Sequence, residues 1–395
     1  MIAQSIVVLL LIIFALGGIA ILLSQLNILW PSFFGIKRNC QPPLVLKVVE
    51  RHEMSATHFS VRLQTISTGP LTNFLPGQYL TLITPHYLLE EPVESPVSKD
   101  SLKRCYSLSA WGRETNFYEL GIQRQDGGKA STWLHKNLQL GTLINALPPK
   151  GNFIFNAEKA QHTILIAGGI GITPLRAMIH QFIEHQFIMT HGDSSFTNKT
   201  MHLFYGARSV EDMCYADEFI QLAHECPSFM FYPFLSQAIS NTTQGPHPFT
   251  FSRLSAEKIA QKLDLPLGEY NYYLCGPNAM MDDFKSKLVQ RGVAPDNIHF
   301  ERFGIDTSSA NNKEFLVKLG GNKSFVFNEQ RTLLDAMDEQ LITVESECRT
   351  GECGQCKVNL LSGSIKPLIE VEFELKAGEI LPCCCVPESD LLIKP

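Results

Sequence analysis

Nine residues late in the chain, CRTGECGQC at 348–356, limit what it can fold into more than any other stretch. Cys348, Cys353 and Cys356 stand in C-x4-C-x2-C spacing, and Cys383, Cys384 and Cys385 follow as an unbroken run. Three thiolates on one tight loop, closed by a fourth from a distant segment, are the ligand set of a [2Fe–2S] cluster. Gly351 and Gly354 let the loop backbone curl close around such a group, where a Cβ would clash. A zinc site fits less well, because zinc sites are mostly built from two short-spaced Cys or His pairs. A disulfide framework fits worse still in a chain of 395 residues with an odd count of eleven cysteines. A cluster of this kind moves one electron at a time, so the rest of the chain should show where the electrons come from.

The length allows two or three domains, each with its own core. The formal net charge is −6, so the chain is not basic overall and nucleic acid is excluded as a natural partner. The charge is unevenly placed. Residues 314–395 hold 8 Lys+Arg and 14 Asp+Glu, which accounts for the whole imbalance. Glu345, Glu347 and Glu352 bracket the first cluster cysteine, and Glu370, Glu372 and Glu374 alternate as on one face of a strand. This reads as an acidic face for docking a basic electron acceptor. Thiolate ligands beside further free cysteines imply a reducing compartment.

The first 36 residues carry no charged side chain, and Ile6 to Leu23 is an unbroken apolar run of 18 residues. About 20 apolar residues at a rise of 1.5 Å cross a hydrocarbon core of about 30 Å. A cleaved signal peptide would need a basic n-region and a small-residue cleavage site, which are lacking. Residues 1–36 are therefore expected to be a transmembrane anchor. Lys37 and Arg38 follow it, which places the remainder in the cytoplasm by the positive-inside rule.

Residues 40–157 read as short alternating strands with Gly/Pro turns, the pattern of a small antiparallel β-barrel. Two stretches in it carry chemistry. In RCYSLS at 104–109, Arg104 supplies a planar cation for a phosphate, Tyr106 a flat ring for stacking, and Ser107 a hydroxyl. In GGKAS at 127–131, Gly128 opens a turn into a helix that Ser131 is expected to cap, with Trp133, Leu134 and Leu138 at helical spacing. A glycine loop entering a helix N-terminus is an anion site. Together the two suggest a clamp for a flavin phosphate. Residues 85–103 read as an exposed acidic loop without chemistry.

From 158 to 304 strands and helices alternate, the mark of a parallel α/β sheet. HTILIA at 162–167 is a buried strand, broken by GGIGITP at 168–174. Gly169 and Gly171 would let a pyrophosphate approach the backbone, with Thr173 as cap and Pro174 in the first helical turn. HLFYGA at 202–207 leads to Arg208 and Ser209 at a strand's carboxyl end, where ligands bind in open α/β sheets. No acid directly follows that strand to claim a ribose 2′-hydroxyl, which favours NADPH, although Glu211 and Asp212 lie close by. A third strand, YNYYLCGP at 270–277, ends in Cys275, Gly276 and Pro277. His180, His185 and His191 do not share a helical face, so no metal site is expected there. Residues 305–313 read as a Ser/Asn-rich linker, and 314–395 as strand, strand, helix and cysteine loop.

RCYS, GGKAS, GGIGITP and CGP, in this order, resemble the ferredoxin–NADP reductase superfamily, and the last segment resembles plant-type ferredoxins. The arrangement is similar to phthalate dioxygenase reductase and to the phenylacetyl-CoA oxygenase reductase type. The resemblance covers about 40–395 and implies a β-grasp α+β fold for the last domain. It implies that Arg104, Tyr106 and Ser107 hold a flavin, with Ser107 near N5, and that Gly128 and Ser131 bind its phosphates. Gly169, Gly171, Thr173 and Pro174 would bind the nicotinamide nucleotide, with Cys275, Gly276 and Pro277 beside the nicotinamide. Arg208 and Ser209 would lie at the adenosine ribose. ILPCCCVP at 380–387 aligns so as to make Cys383 the fourth cluster ligand, leaving Cys384 and Cys385 as passengers. The flavin expected is FAD, with FMN as the alternative. A hydride pair from NADH or NADPH would be split by the flavin and passed singly to the cluster. The expected partner is a membrane-embedded oxygenase or desaturase. The rival readings are a quinone or respiratory-type reductase, and a redox-sensing module that turns over slowly.

Overall fold

A computed structural model describes residues 43–66, 71–85, 101–113, 116–191, 198–237, 249–307, 313–321, 323–328, 331–371 and 374–394. The stretch read as a membrane anchor lies outside these residues. Among the described residues no helix is long and apolar enough to cross a membrane.

The first sheet follows from two-residue alternation. In β2 (His58–Thr65), Phe59, Val61 and Leu63 are buried; Leu63 stands opposite Val48 of β1 (Leu44–Glu53), and Leu46 joins the same core. With β3 (Tyr79–Pro85), β4 (Ser101–Ser107), β5 (Tyr118–Gln123) and β6 (Leu143–Lys150) they form an antiparallel sheet in the order β4-β3-β6-β1-β2-β5. A bridge from Leu108 to Leu120 joins the two edges and closes the barrel. Residues 101–103, read as loop, belong to β4. Helix α1 (Lys129–Asn137) plugs the barrel with Leu134 and Leu138, both fully buried. Burying each such side chain contributes about 1.5–3 kcal/mol. Ser131 does not cap this helix. Gly128 is the N-cap, and Ser131 sits in the first turn with its hydroxyl donating to the Gly128 carbonyl at 3.1 Å.

The second sheet is parallel, in the order β10-β9-β8-β7-β11-β12. Its members are β7 (His162–Gly168), β8 (Thr200–Ala207), β9 (Phe229–Leu235), β10 (Thr250–Phe251), β11 (Asn271–Cys275) and β12 (Ile298–Glu301). Its inner strands are unbroken apolar runs because both faces are covered. Helix α2 (Ile172–His191) packs on one face through Leu175, Met178 and Phe182. A later helix, Asn278–Gln290, covers the other through Met281, Phe284 and Leu288. β9 is a strand the sequence pattern hides. Its Pro233 argues against a strand inside a sheet, yet Pro233 stands in register opposite Tyr205.

The third sheet is mixed and runs β14 (Ser324–Phe327), β13 (Phe315–Leu319), β19 (Leu391–Lys394), β15 (Val358–Ser362) and β17 (Glu379–Ile380), with β13 and β19 parallel. Helix α3 (Leu333–Glu339) packs Leu333, Ala336 and Met337 into this domain's core. Thr332 caps it by accepting from the Asp335 N–H at 3.2 Å. The α+β expectation therefore holds. Among the described residues of 368–378 there is no strand, so Glu370 and Glu374 do not alternate along one. A two-stranded sheet of β16 (Ile365–Pro367) and β18 (Cys385–Pro387) completes this domain, and residues 43–395 form one compact unit that contains all four sheets.

Candidate functional site

β4 is the element on which the site is built. Its pleat sends alternate side chains to opposite faces. Arg104 and Tyr106 stand opposite Leu82 and Leu80 of β3, which belong to the barrel core. Cys105 and Ser107 stand opposite Thr81 and Tyr79, on the outer face. A cavity of about 460 Å³ is lined by Arg104, Tyr106, Ser107, Gly128, Ser131 and Thr173. The structure thus brings the two barrel motifs and the start of α2 to one place. The far wall comes from the third domain, through Arg331, Asp335, Asp338 and Glu339. The Arg104 guanidinium donates to the Lys103 carbonyl at 2.9 Å. Burial lowers its pKa, as does the nearby Arg349, while Asp338 and Asp335 oppose them.

A second cavity of about 300 Å³ shares Arg104, Ser107 and Phe303 with the first and reaches Cys348 and Thr350. Between them sits a residue that sequence reasoning passed over. The Ser107 hydroxyl donates to Glu301 Oε2 at 2.9 Å, and Glu301 is only 5% exposed. Burial pushes the Glu301 carboxyl up to about 8; the hydrogen bond from Ser107 pulls the other way, and Glu352 adds to the rise. Glu301 is also the register partner of Cys275 on β11, whose thiol burial raises well above its usual range. Ser107, Cys275 and Glu301 therefore converge from barrel and parallel sheet. The available signal was a carboxylate at the carboxyl end of a strand in an open α/β sheet.

At the β7 turn the glycines divide into two kinds. A Cβ on Gly171 would lie 2.2 Å from the Cys275 carbonyl oxygen, and one on Gly276 would lie 2.9 Å from Gly168 N. These two glycines let the β7 and β11 turns pack backbone on backbone. A Cβ on Gly169, at φ +53°, would have no neighbour within 4 Å, so this turn position is open. Helix α2 starts at Ile172, so Thr173 lies within its first turn and is not its cap; its hydroxyl donates to the Ile170 carbonyl at 3.0 Å. Pro174 follows in the same turn, and Pro277 is the N-cap residue of the Asn278–Gln290 helix. Arg208 lies just past β8, two-thirds exposed, with Nε 3.4 Å from Asp212 Oδ2. Glu211's own backbone N–H, and then the Ser209 side chain, hold the Glu211 carboxyl below its usual range. Both ring nitrogens of His180 are engaged: Nε2 meets Glu218 Oε1 at 2.6 Å and Nδ1 accepts from the Trp111 N–H at 3.3 Å.

The cysteines fall into two pairs. Cys348 Sγ accepts from the backbone N–H groups of Cys353 and Thr350 at 3.3 and 3.4 Å. The Cys353 thiol also hydrogen-bonds Cys348, and with these backbone donors it holds Cys348 well below the usual thiol range. Cys356 Sγ lies 3.2 Å from Cys383 Sγ. Cys384 Sγ lies 3.3 Å from Cys383 Sγ and would be 2.7 Å from a Cβ on Gly351, so it fills the space under the loop. Cys385 packs into the core of the third domain. Two thiol pairs, backbone donors aimed at sulfur and a glycine where the loop is tightest fit a two-iron cluster. Glu347 is not part of an acidic surface. It is 1% exposed, whereas Glu345 and Glu352 are exposed.

Residues 165–286 match the oxidoreductase NAD-binding domain, and residues 317–388 match the 2Fe-2S iron-sulfur cluster binding domain. The chain is 26% identical to a subunit of 1,2-phenylacetyl-CoA epoxidase from Escherichia coli (strain K12), over 81% of this chain and 88% of that one. It is 27% identical to the phthalate 4,5-dioxygenase oxygenase reductase subunit of Pseudomonas putida, over 88% and 95%. Among solved structures, phthalate dioxygenase reductase matches in fold with a TM-score of 0.62 at 24% identity, over 89% of this chain and 98% of that one.

Fold and site together define an NAD(P)H-dependent electron-transfer oxidoreductase. A barrel followed by an NAD-binding domain and a C-terminal [2Fe–2S] domain is an arrangement similar to that of the reductases named above. The cofactors of this chain are FAD and a [2Fe–2S] cluster, with NAD(P)H as donor. When bound, they supply hydride acceptance and its division into single electrons. The chain's own residues bind and orient: Arg104 and the Gly128 turn offer a cation and N–H groups, and Ser107 presents its hydroxyl between cavity and Glu301.

Proposed function

We infer that this protein is the reductase of an oxygenase or desaturase system, tied to the membrane by residues 1–36 with its catalytic domains in the cytoplasm. The observation that carries the reading is a pair of cavities that share Arg104 and Ser107, the second of which reaches Cys348; it supports a path from flavin clamp to first cluster thiol. The relatives named above support the oxygenase, since they are reductase or epoxidase components. The uncharged first 36 residues, followed by Lys37 and Arg38, support the anchor. Arg104, Tyr106, Ser107, Gly128 and Ser131 hold the flavin. Gly169, Thr173, Pro174, Arg208, Ser209 and Pro277 face the nucleotide, with Gly171, Cys275 and Gly276 forming the floor beneath it. Cys348, Cys353, Cys356 and Cys383 hold the cluster.

The test is reconstitution with the candidate oxygenase or desaturase from the same membrane. The reading expects NAD(P)H-dependent turnover of that partner, and FAD as the flavin released for mass spectrometry. The full chain should stay with membranes after a high-salt wash, and a chain starting at residue 37 should not. Steady-state quinone reduction with no oxygenase turnover would overturn the partner.

A further inference from the structure

One side chain of the RCYS motif meets the third domain directly. Cys105 projects from the outer face of β4, and its thiol donates to the backbone carbonyl of Glu347 at 3.3 Å. It also lies 3.4 Å from Thr81 Oγ1 on the neighbouring strand. The Thr81 hydroxyl in turn donates to Glu347 Oε1 at 3.2 Å. The other carboxylate oxygen of Glu347 accepts from Lys150 Nζ at 3.1 Å and from Gln355 Nε2 at 2.7 Å. Thr81, Cys105 and Lys150 belong to barrel strands, while Gln355 lies in the cysteine loop. Glu347 directly precedes Cys348. The loop has no helix or strand of its own to set its position.

A carboxylate that is 1% exposed is costly to bury unless it is paired and hydrogen-bonded. Here Gln355 travels with the loop, but Oε1 has its Thr81 donor only if the loop lies against β3, and Oε2 has its Lys150 cation only if it lies against β6. Moving the loop away would strip the donors from Thr81 and Lys150. Moving it along the strands would break the Cys105 contact as well. The register of the cluster loop on the barrel is therefore set by one residue. That register matters because Cys105 is the immediate neighbour of Arg104 and Tyr106, and all three line the cavity read as the flavin site.

We propose that Glu347 is a positioning residue: it clamps the cluster loop to the outer face of β3 and β4, so that flavin and cluster sites stay in a fixed relation while electrons pass between them. The proposal rests on the reading of the two sites as flavin and cluster. It makes Glu347 an internal fastening, where the sequence pattern placed it on a docking face.

The test compares Glu347→Ala, Thr81→Val and Glu347→Gln in the full chain carrying both cofactors. Hydrogen–deuterium exchange over 344–356 reports the clamp directly, and it is read in cofactor-free protein too. Stopped-flow absorbance separates NAD(P)H-to-flavin from flavin-to-cluster transfer. Glu347→Ala is expected to speed exchange of the loop and slow flavin-to-cluster transfer by about tenfold or more, since small displacements of paired centres are costly. NAD(P)H-to-flavin transfer should change less than about twofold, because it uses another junction. Thr81→Val should shift both readouts in the same direction by less, and Glu347→Gln, which keeps the Thr81 hydrogen bond, should recover part of the loss. Unchanged loop exchange and unchanged flavin-to-cluster transfer in Glu347→Ala and Thr81→Val overturn the proposal, as does an equal fall in both transfer steps. If Glu347→Ala does not fold, Thr81→Val decides by the same criteria. A wild-type protein lacking flavin or cluster absorbance would instead defeat the underlying site assignment.

Discussion

The barrel is held on two sides by junctions of opposite sign. Toward the nucleotide domain the centre is a cation, Arg176 on α2, which is 7% exposed. It donates to Glu119 at 2.6 Å, to the Ser109 carbonyl at 3.0 Å and to Glu218 at 2.8 Å, and its guanidinium lies 4.2 Å from the Tyr215 ring centroid. Glu119 is itself held by Arg62 at 2.8 Å. Toward the cluster domain the centre is an anion, Glu347, on a loop. Its only charged partner, among the contacts described above, is Lys150, whose side chain is about half exposed. The first junction is helix-mounted and has two buried or half-buried acids; the second is loop-mounted and relies mainly on neutral donors. The difference matches what each must align. Hydride transfer needs reacting atoms about 3–3.5 Å apart, which demands a rigid scaffold. Transfer of a single electron to a cluster is less demanding of angle, and a well-placed loop suffices.

The largest effect should come from the cluster side itself. Cys348→Ser, Cys353→Ser, Cys356→Ser and Cys383→Ser should each abolish the [2Fe–2S] absorbance and electron paramagnetic resonance signal while flavin stays bound. Cys384→Ser should keep the cluster. Loss with Cys384→Ser and retention with Cys383→Ser would reverse the assignment of the fourth thiol.

Breaking the opposite junction should destabilise the fold rather than remove a cofactor. Arg176→Met leaves Glu119 and Glu218 without their shared cation, and removing one partner of a buried pair costs about 3–5 kcal/mol. Denaturant unfolding should show this loss, whereas Lys150→Met, at a half-exposed position, should cost much less. Equal losses would erase the contrast between the junctions.

Between the two lies the cavity proposed for the flavin. Arg104→Ala removes a charge-assisted phosphate contact and should weaken flavin binding by about 1.5–3 kcal/mol, measured by titrating flavin into stripped protein. Glu301 sharpens the picture through pH. Its folded pKa, about 8, stands above the ordinary carboxyl value of 4.5. A raised value means the folded state holds the proton longer than the unfolded one. Its contribution is fully present below about pH 4.5 and is lost as pH rises through about 8. Flavin-free wild type should therefore lose stability across that window, and Glu301→Gln should flatten the loss. The smallest effect is at the nucleotide rim. Arg208→Ala, already engaged with Asp212 and mostly exposed, should raise KM for NADPH relative to NADH by a few-fold at most, by about 1 kcal/mol or less.

Much of this was legible in the chain. The alternation of β2, the helix after the β7 turn and the cysteine spacing each carry a local signature. What escaped depends on contacts between distant segments. Thr173 and Ser131 look like caps, but each helix begins one to three residues earlier because glycines already turn the chain. Pro233 conceals β9, since a missing N–H is a local signal and register opposite Tyr205 is not. Glu347 looks like a surface acid because its neighbours in sequence are acidic, while the partners that bury it, Thr81 and Lys150, lie in another domain. Glu301 reads in the sequence as no more than the end of a domain, because Ser107, which it meets, lies in the barrel.

The central claim is that electrons from NAD(P)H reach the cluster only through the flavin within this one chain. Anaerobic stopped-flow absorbance of the holoprotein, and of protein stripped of flavin with its cluster intact, tests it most directly. Adding NAD(P)H should bleach flavin and then cluster in the holoprotein, and should leave the cluster oxidised in the flavin-free protein. Cluster bleaching in the flavin-free protein, or an oxidised cluster in holoprotein whose flavin is reduced, would contradict the account.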